Sequence, residues 1–251
     1  MTIYTVALSK GGSTKTTTAA DLVSALADRG RKVLAIDLDQ QGNLSTRLGL
    51  TDQSPVDSVA SDVLLGTATA EQAAVPAPSV EGAWVLAGTH DLAELDQRPE
   101  VITALRDYLP ELMDWDDVVI DTPPALGLVT LAALAAADQI IAAVACETEA
   151  YDQLTRLQDV ISVRVAPRLR RGQAIHWIVP TRHDPRRLLD RDVVEQLLEQ
   201  WPGRVTSPIR EAVAARDAYT AGLPVSRYAP TSGIAADYRA ALATIIDAQE
   251  A

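Results

Sequence analysis

The chain has 251 residues, a formal net charge of −12, one cysteine and no phenylalanine. Its length fits one α/β domain over residues 1–251, which can bury its own core without disulfides or metals. A single cysteine can neither form an intrachain disulfide nor hold an iron–sulfur cluster, which excludes an iron–sulfur reductase and favours a reducing cytoplasm. The acidic balance argues against a protein that coats nucleic acid over its whole surface.

The N-terminal sequence shows no signal-peptide pattern, because the apolar run Ile3 to Leu8 is short and no basic segment precedes it. No stretch approaches the roughly 18 uninterrupted apolar residues of a membrane span. We therefore expect a soluble, cytoplasmic protein without a membrane partner. Because phenylalanine is absent, the core is expected to consist mainly of Val, Ile, Leu and Ala.

The first predicted strand, Ile3 to Leu8, leads into residues 9–18 (SKGGSTKTTT), and a helix is predicted from Thr16 to Asp28. A glycine-rich loop between a strand and a helix is typical of a phosphate-binding loop, whose successive backbone N–H groups wrap an oligophosphate. In such a loop Lys15 supplies a positive charge and Thr16 a hydroxyl for Mg²⁺. The pattern indicates a nucleotide site.

This loop departs from the usual pattern G-x-x-x-x-G-K-[ST] at both glycines. Ser9 stands at the first glycine position and Thr14 at the second, while Gly11 and Gly12 lie between them. The alternative interpretation is a turn rich in Gly, Ser and Thr that carries two solvated lysines. The strand before the loop and the helix after it favour the phosphate-loop interpretation.

A second strand, Lys32 to Ile36, delivers Asp37 and Asp39 at its carboxyl end. Strand, loop, helix and strand form a βαβ unit with a right-handed crossover, and its ligand is expected at the carboxyl ends of the strands. Strand-end carboxylates also cap helices, so capping is the alternative role for both aspartates.

The remaining periodicities predict alternating helices and strands. Helices are predicted at Val56–Leu65, Asp91–Leu95, Pro99–Met113, Leu126–Ala137, Glu149–Val163, Arg187–Gln200 and Ile234–Asp247. Strands are predicted at Ala83–Ala87, within residues 117–121, at Gln139–Ala145, at Ala174–Val179 with Pro180 ending it, and at Val205–Ile209. This alternation predicts an α/β fold with a mostly parallel, twisted sheet and helices on both faces.

The strand within residues 117–121 ends in Asp121 and is followed by Thr122 and two prolines. An apolar strand that delivers an aspartate at its carboxyl end is the Walker B arrangement, in which the carboxylate holds Mg²⁺ directly or through water. Many strands end in aspartate for turn formation alone, so the motif gains weight only beside the phosphate loop.

Four motifs in this order resemble the ParA/MinD family, whose phosphate loop is a deviant Walker A box. They are KGGSTKTT at 10–17, VLAIDLDQQGN at 33–43, VIDTPPALGL at 119–128 and Cys146-Glu147. The resemblance covers nearly the whole chain and is greatest to the short ParA proteins, which lack an N-terminal helix-turn-helix. It implies a P-loop NTPase of the deviant Walker A type that uses ATP and Mg²⁺.

The resemblance implies a role for each loop residue. Lys15 would bind the β- and γ-phosphates and Thr17 the α-phosphate. Lys10 would reach the nucleotide of a partner subunit, so that two ATP molecules lie sandwiched in a homodimer. The loop residues implied to contact nucleotide are Gly11, Gly12, Ser13, Thr14, Lys15, Thr16 and Thr17.

The resemblance also implies that Asp39 orients the attacking water and that Thr16, Asp37 and Asp121 form the magnesium site, with Asp121 acting through water. Thr181 follows the strand ending at Val179 and is a candidate for the adenine edge, although an ordinary turn residue explains it equally. Cys146 is interpreted as a small buried residue rather than a nucleophile, because no histidine lies beside it in sequence.

Two departures from the family pattern are expected to matter. Thr14 has a Cβ where the family has glycine, which disfavours a positive φ and crowds the phosphates. In residues 209–216, Glu211 and Ala214 stand where related proteins often carry arginines that help bind DNA.

Positive charge is concentrated between Arg164 and Arg216, where eleven arginines outnumber six acidic residues and leave a net charge of +5. Clustered arginines contact DNA phosphates without sequence preference. Solvated helix faces are the alternative explanation. The arginines selected as DNA candidates are Arg182, Arg186, Arg187, Arg210 and Arg216.

The function expected from these motifs is ATP-dependent DNA partition in the cytoplasm, associated with the nucleoid. An ATP-bound dimer would bind non-specific DNA, and a ParB-like centromere-binding partner would stimulate a slow ATPase. One alternative is a MinD-like positioning switch at a membrane or other cargo, but the final predicted helix lacks the basic face that anionic lipid requires. Another alternative is a metabolic P-loop enzyme such as an amide-forming synthetase.

Overall fold

The apolar runs of the sequence pair into a sheet, because buried backbone N–H and C=O groups need the partners that neighbouring strands supply. The computed structural model describes residues 1–10, 12, 14–109, 112 and 114–250. Its strands are β1 (Thr2–Val6), β2 (Val33–Asp37), β3 (Val75–Pro76), β4 (Ala83–Leu86), β5 (Asp117–Asp121), β6 (Gln139–Ala145) and β7 (Trp177–Thr181). Within the described residues these seven form one sheet in the order β3-β4-β2-β5-β1-β6-β7, parallel throughout except for β3.

Helices connect the strands in chain order. They are α1 (Lys15–Ala27), α2 (Asn43–Arg47), α3 (Ala60–Leu65), α4 (Ala70–Ala73), α5 (Leu92–Leu95), α6 (Val101–Tyr108), α7 (Leu128–Ala136), α8 (Ala150–Val160), α9 (Leu188–Gln200), α10 (Ala214–Thr220), α11 (Val225–Tyr228) and α12 (Gly233–Glu250). None of the helices in the described part is both long enough and apolar enough to cross a membrane.

Alternate residues of the central strands determine which helices cover each face of the sheet. Val33 and Ala35 of β2 pack with α1 and α12, whereas Leu34 and Ile36 pack with α6 and α7. The remaining part of the second face, beside β6 and β7, is covered by α8 and α9. Helices therefore lie on both faces of a mostly parallel sheet, and the predicted fold class is confirmed.

The edge strand β7 corrects two predicted boundaries. It continues through Pro180 to Thr181, because the N–H of Ile178, two residues earlier, already points outward to the C=O of Arg204 at 2.8 Å. A proline on that side removes no hydrogen bond to β6. The strand predicted at Val205–Ile209 is reduced to an isolated bridge between Ile178 and Val205, since Pro208 has no N–H to continue a ladder.

Several helix boundaries also differ from prediction. The helix predicted from Val56 begins at Ala60, because the Asp62 carboxylate accepts a hydrogen bond from the Val59 N–H at 2.9 Å and caps the helix there. The helix predicted to reach Met113 ends at Tyr108, and Met113 lies outside the described residues. The helix predicted to Val163 becomes α8 followed by a π-helical turn at Ile161–Val165.

One buried carboxylate joins α1 to α11. The Oδ2 and Oδ1 atoms of Asp21 accept hydrogen bonds from the backbone N–H groups of Val225 at 3.1 Å and Ser226 at 2.8 Å. These are the first N–H groups of α11, which have no partner inside that helix. Asp21 is 1% exposed, so it caps a distant helix from within the core and fixes the segment that packs over α1.

Removing this carboxylate should destabilise the fold. We expect Asp21→Ala to lower the free energy of unfolding by about 2–3 kcal/mol, because it leaves buried N–H groups without acceptors. Urea denaturation of both proteins measures the difference. Asp28→Ala, at the C-terminal end of α1, is the control: its ion pair with Arg227 (2.5 Å) is exposed, so the expected loss is below about 1 kcal/mol. Equal losses would contradict the capping role.

Candidate functional site

The parallel register brings acidic residues to the phosphate loop. Asp37 at the end of β2 is in register with Asp121 at the end of β5, and Asp121 is in register with Val6 at the end of β1. The loop that follows β1 begins at the same edge of the sheet, and α1 starts at Lys15. Residues that are far apart in sequence therefore converge at the carboxyl ends of three neighbouring strands.

Two adjoining cavities open at this edge. The loop cavity, of about 410 Å³, is bordered by Lys15, Thr16, Thr17, Asp39, Arg47 and Arg182, among others. The inner cavity, of about 130 Å³, lies beside it and is bordered by Thr14, Thr181, Ile209, Arg216 and Tyr238, among others. Thr14, Thr17, Arg47 and Arg182 border both cavities. The sequence-predicted loop residues within the described part thus meet in one place.

The ammonium group of Lys15 is held inside the loop. Lys15 is 5% exposed, and its Nζ donates a hydrogen bond to the C=O of Lys10 at 2.9 Å. Burial lowers the pKa of Lys15, while the nearby Asp121 and Asp39 carboxylates act in the opposite direction. The group is thereby positioned as a buried cation beside the loop cavity.

Asp121 is completely buried, and neither of its carboxylate oxygens accepts a hydrogen bond of ordinary geometry from a described residue. Burial and the neighbouring Asp37 raise the pKa of Asp121, opposed by the Thr16 hydroxyl and Lys15. An unpartnered buried carboxylate is costly, and a divalent cation relieves that cost.

The donor set suits magnesium. In the described part, no group of three His, Cys, Asp or Glu side chains is arranged to hold a metal by itself. Magnesium does not require one, because it keeps several waters and takes one or two protein oxygens together with nucleotide phosphates. Thr16 and Asp121 offer that combination of a hydroxyl and a carboxylate.

Asp37 is engaged within the protein. Its Oδ2 accepts hydrogen bonds from the N–H and hydroxyl of Ser45 at 2.8 and 2.7 Å, and its Oδ1 accepts one from the Asp39 N–H at 3.2 Å. Burial raises the pKa of Asp37 to about 6. Unlike Asp121, it has partners on both oxygens. The structure thus shows Asp37 anchoring α2, and its predicted place in the metal shell stays a prediction.

Sequence reasoning missed Ser45 and Gly88, which fix this turn. The Ser45 hydroxyl also accepts a hydrogen bond from the Gly88 N–H at 3.1 Å. A Cβ on Gly88 would stand 2.6 Å from the Asp39 C=O oxygen, so only glycine fits there. The available signal was that Gly88 directly follows the predicted strand Ala83–Ala87.

Asp39 borders the loop cavity and is 9% exposed. Its Oδ1 accepts a hydrogen bond from the Gln41 N–H at 3.0 Å, which holds the start of the turn to α2. Gly42 follows with φ +62°, a conformation that suits glycine. The carboxylate is therefore fixed at the wall of the cavity where a water molecule can be oriented.

Lys10 is paired within its own chain. Its Nζ contacts Glu147 at 2.7 Å and Glu149 at 3.0 Å, and about a third of its side chain (35%) is exposed. Glu147 also contacts Nη1 of Arg182 at 3.3 Å. The hydrogen bond from Lys10 holds the pKa of Glu147 below its usual value, so Glu147 is charged at neutral pH.

Thr14 adopts the strained conformation that its position implied. Its φ is +71°, which β-branched residues rarely adopt, and its hydroxyl donates to the Thr181 hydroxyl at 2.7 Å. Thr181 in turn donates to the Val144 C=O at 3.1 Å. Its predicted contact with adenine stays a prediction, although it borders the inner cavity. The predicted nucleotide contacts of Gly11 and Ser13 lie outside the described residues.

Three of the five DNA candidates lie together. Arg186, Arg187 and Arg210 border an open cavity of about 450 Å³. Each is ion-paired: Arg186 to Asp184 at 2.8 Å, Arg187 to Glu211 at 3.2 Å, and Arg210 to Asp237 at 2.6 Å. Arg186 holds the pKa of Asp184 well below its usual range. We call these three residues the arginine cluster; its acids neutralise much of its charge.

The other two DNA candidates do not border the open cavity of the arginine cluster, although Arg210 borders both that cavity and the inner cavity. Arg182 borders both cavities, and Arg216 borders the inner cavity.

Cys146 is buried and unpaired, as predicted, and burial raises its thiol pKa to about 12, so it is protonated and unreactive at neutral pH.

Arg47 is a site residue that sequence reasoning missed. It is 8% exposed, its Nη2 donates to the Ala215 C=O at 3.2 Å, and its guanidinium lies 5.2 Å from the Tyr219 ring centre. Tyr219 also donates to the Asn43 side chain at 2.9 Å. These contacts join α2 to α10 at the cavity wall. Because α2 is five residues long, it is too short to be predicted from a helical periodicity of apolar residues in the sequence.

Comparison with protein families matches residues 1–170 to a family described as an AAA domain. The chain is 35% identical to the chromosome partitioning protein ParA of Caulobacter vibrioides over 234 residues, covering 90% of this chain and 86% of that protein. It is 31% identical to the sporulation initiation inhibitor protein Soj of Bacillus subtilis over 236 residues, covering 92% of each.

Solved structures share the fold. The cobyrinic acid a,c-diamide synthase of Mycobacterium smegmatis, with bound ADP and magnesium, has a TM-score of 0.83 at 31% identity, covering 100% of this chain and 96% of that one. The cell division ATPase MinD of Pyrococcus furiosus has a TM-score of 0.78 at 29% identity, covering 98% and 99%.

Replacing Thr14 separates its backbone strain from its hydrogen bond. Thr14→Gly and Thr14→Ala both lose the hydroxyl that contacts Thr181, but only glycine adopts φ +71° without a Cβ penalty. We expect Thr14→Gly to be the more stable by about 1 kcal/mol in urea denaturation of the nucleotide-free protein. If the alanine variant is equally stable, the loop is not strained at this residue.

Proposed function

Because the chain belongs to the ParA/MinD-type family of AAA-domain ATPases, as its sequence motifs indicated, we propose that it is an ATP-hydrolysing DNA-partition protein. The observation that carries the nucleotide part is the buried, unpartnered Asp121 carboxylate beside Lys15 and Thr16. The observation that supports the DNA part is the identity to ParA and Soj over about nine tenths of the chain.

In the proposed nucleotide site, Lys15 neutralises the β- and γ-phosphates and Thr17 contacts the α-phosphate. Thr16 and Asp121 hold Mg²⁺, Asp121 through water, and Asp37 supports them by fixing α2. The ion supplies positive charge against the charge that develops during phosphoryl transfer. The orphaned oxygens of Asp121 and the low exposure of Lys15 support this assignment.

Asp39 is proposed to orient the attacking water. Its carboxylate is fixed at the cavity wall by Gln41, and its backbone is fixed by Asp37. Hydrolysis then depends on the turn to α2 keeping this geometry. Gly42, with φ +62°, is proposed as the hinge of that turn.

Lys10 is proposed to act in a homodimer that forms with ATP, where it reaches the nucleotide of the partner subunit. In the isolated chain its ammonium is held by Glu147 and Glu149. Ion pairs this exposed are weak, so a phosphate group competes for Lys10 readily. This arrangement gives a physical reason for a slow ATPase without a partner, because the cation supplied across the dimer is absent until the subunits associate.

The arginine cluster is proposed to contact DNA phosphates, and Arg182 and Arg216 border the inner cavity next to Arg210. Counterion release drives such contacts and makes them sensitive to salt. DNA phosphates must compete with Asp184, Glu211 and Asp237 for the same guanidinium groups. Partition further requires a ParB-like centromere-binding partner, and the acidic remainder of the surface suits a basic segment of that partner. It also requires a cytoplasmic, nucleoid-associated location.

The second candidate is an amide-forming synthetase, which is favoured by the likeness to the M. smegmatis diamide synthase. Amide synthesis from glutamine needs a reactive thiolate, and the single cysteine is buried with a pKa of about 12. This favours the partition assignment over the synthetase. A MinD-like membrane switch is disfavoured, because Arg239 is the sole basic residue of α12.

ATP turnover should depend on Lys15. We expect Lys15→Ala to lower the ATPase rate about 100-fold or more, because it removes a positioned cation from the phosphates. Phosphate release is measured with Mg²⁺, with and without DNA. Lys32→Ala, an exposed lysine remote from the loop, is the control and should keep the parent rate. Equal rates for Lys15→Ala and the parent would remove the enzyme assignment.

DNA binding should require ATP and the arginine cluster. We expect Arg186→Glu/Arg187→Glu to weaken binding to random duplex DNA about tenfold or more and to flatten its salt dependence. Fluorescence anisotropy with ATP, ADP or no nucleotide, at several salt concentrations, measures this.

Arg168→Glu/Arg171→Glu is the matched control, because these exposed arginines follow the π-helical turn and lie outside the arginine cluster. It should weaken binding much less. Equal losses in the two double variants would reject this surface. Absence of ATP-dependent binding by the parent at low salt would reject the DNA half of the proposal.

A further inference from the structure

The guanidinium of Arg182 lies against the phosphate loop. Its Nη2 is the nearest atom to the position that a Cβ on Gly12 would occupy, at 3.9 Å. Its side chain is 44% exposed and borders both the loop cavity and the inner cavity. It does not border the open cavity that Arg186 and Arg187 border, and Arg210 lies between the two places because it borders both that cavity and the inner cavity.

The backbone of Arg182 is held in an unfavourable conformation to reach this position. Its φ is +54°, which a residue with a Cβ rarely adopts. The residues on each side are anchored: the Thr181 C=O accepts from the Cys146 N–H at 2.9 Å, and the His183 N–H donates to the Ile209 C=O at 3.0 Å. Such over-determined strain is typical of ligand clamps.

The ion pair of Arg182 does not by itself account for that strain. Its Nη1 contacts Glu147 at 3.3 Å, and Glu147 makes its shorter contact, of 2.7 Å, with Lys10. An exposed ion pair of this kind contributes little. A planar guanidinium, by contrast, is well suited to bind phosphate oxygens with two parallel donors.

We propose that Arg182 is a nucleotide-binding residue that contacts the phosphate oxygens of ATP or ADP over Gly12, with Glu147 as the counter-ion it shares with Lys10. This inference rests on the proposed nucleotide site. It removes Arg182 from the DNA-binding surface and gives the site a cation from the end of β7 as well as from the phosphate loop. The nearness of Nη2 to Gly12, a phosphate-loop residue, favours phosphate over adenine as the group it contacts.

Calorimetric titration with ADP and with adenosine tests the proposal. We expect Arg182→Met to bind ADP about tenfold or more weakly and adenosine unchanged, because only ADP carries the phosphates. Arg182→Gly should weaken ADP binding equally while leaving the nucleotide-free protein at least as stable, since glycine relieves the positive φ. Arg191→Met, an exposed arginine on α9 that borders neither cavity, is the control and should bind ADP like the parent.

Unchanged ADP affinity in Arg182→Met and Arg182→Gly would overturn the proposal, and so would an equal loss for adenosine, which indicates stacking on the base. If one variant folds poorly, the other decides, because thermal unfolding without nucleotide identifies the folded one. A parent chain that binds neither ADP nor ATP would instead refute the proposed nucleotide site. The two failures are therefore distinguishable.

Discussion

The site depends on the alignment of β1, β5 and β2, whose carboxyl ends lie side by side. This register sets Asp37 beside Asp121 and the phosphate loop beside both. Carboxylates forced so close in a buried place repel each other and resist ionisation. The surrounding groups stabilise the two carboxylates differently. Ser45 donates hydrogen bonds to Asp37, whereas the ammonium of Lys15 lies near Asp121 and offsets part of its negative charge. The oxygens of Asp121 leave a place for a cation. The register of the sheet thereby produces a buried site of negative charge, which a magnesium ion bound with nucleotide neutralises.

The same edge of the sheet also organises the cations. Lys15 is internal and fixed by the Lys10 carbonyl, whereas Lys10 and Arg182 are half-exposed and share Glu147. The buried cation belongs to the loop, while the two more exposed cations are paired with carboxylates. Arg47 and Tyr219 then join α2 to α10 at the cavity wall. These contacts connect the wall of the loop cavity to α10, in the C-terminal part of the chain.

Much of this arrangement could be read from the sequence. Apolar runs predicted the parallel strands, and motifs at strand ends predicted Lys15, Asp39 and Asp121, because strand-end chemistry is local. The contacts between α2, Gly88 and Asp37 could not be predicted, since they join segments that no periodicity relates. Arg182 and Arg186 were grouped by composition alone. Arg182 itself has a positive φ and borders the loop cavity, whereas Arg186 borders the open cavity, and the sequence alone does not predict a positive φ at an arginine.

The bond from Asp21 to α11 has a consequence for biosynthesis. The helix that follows the phosphate loop is completed by residues 204 positions later, and its apolar side packs with α12. A nascent chain therefore exposes the phosphate loop long before the helix beneath it has its final neighbours. The helix that carries Lys15 and Thr16 is therefore expected to reach its final packing only after α11 and α12 have been synthesised.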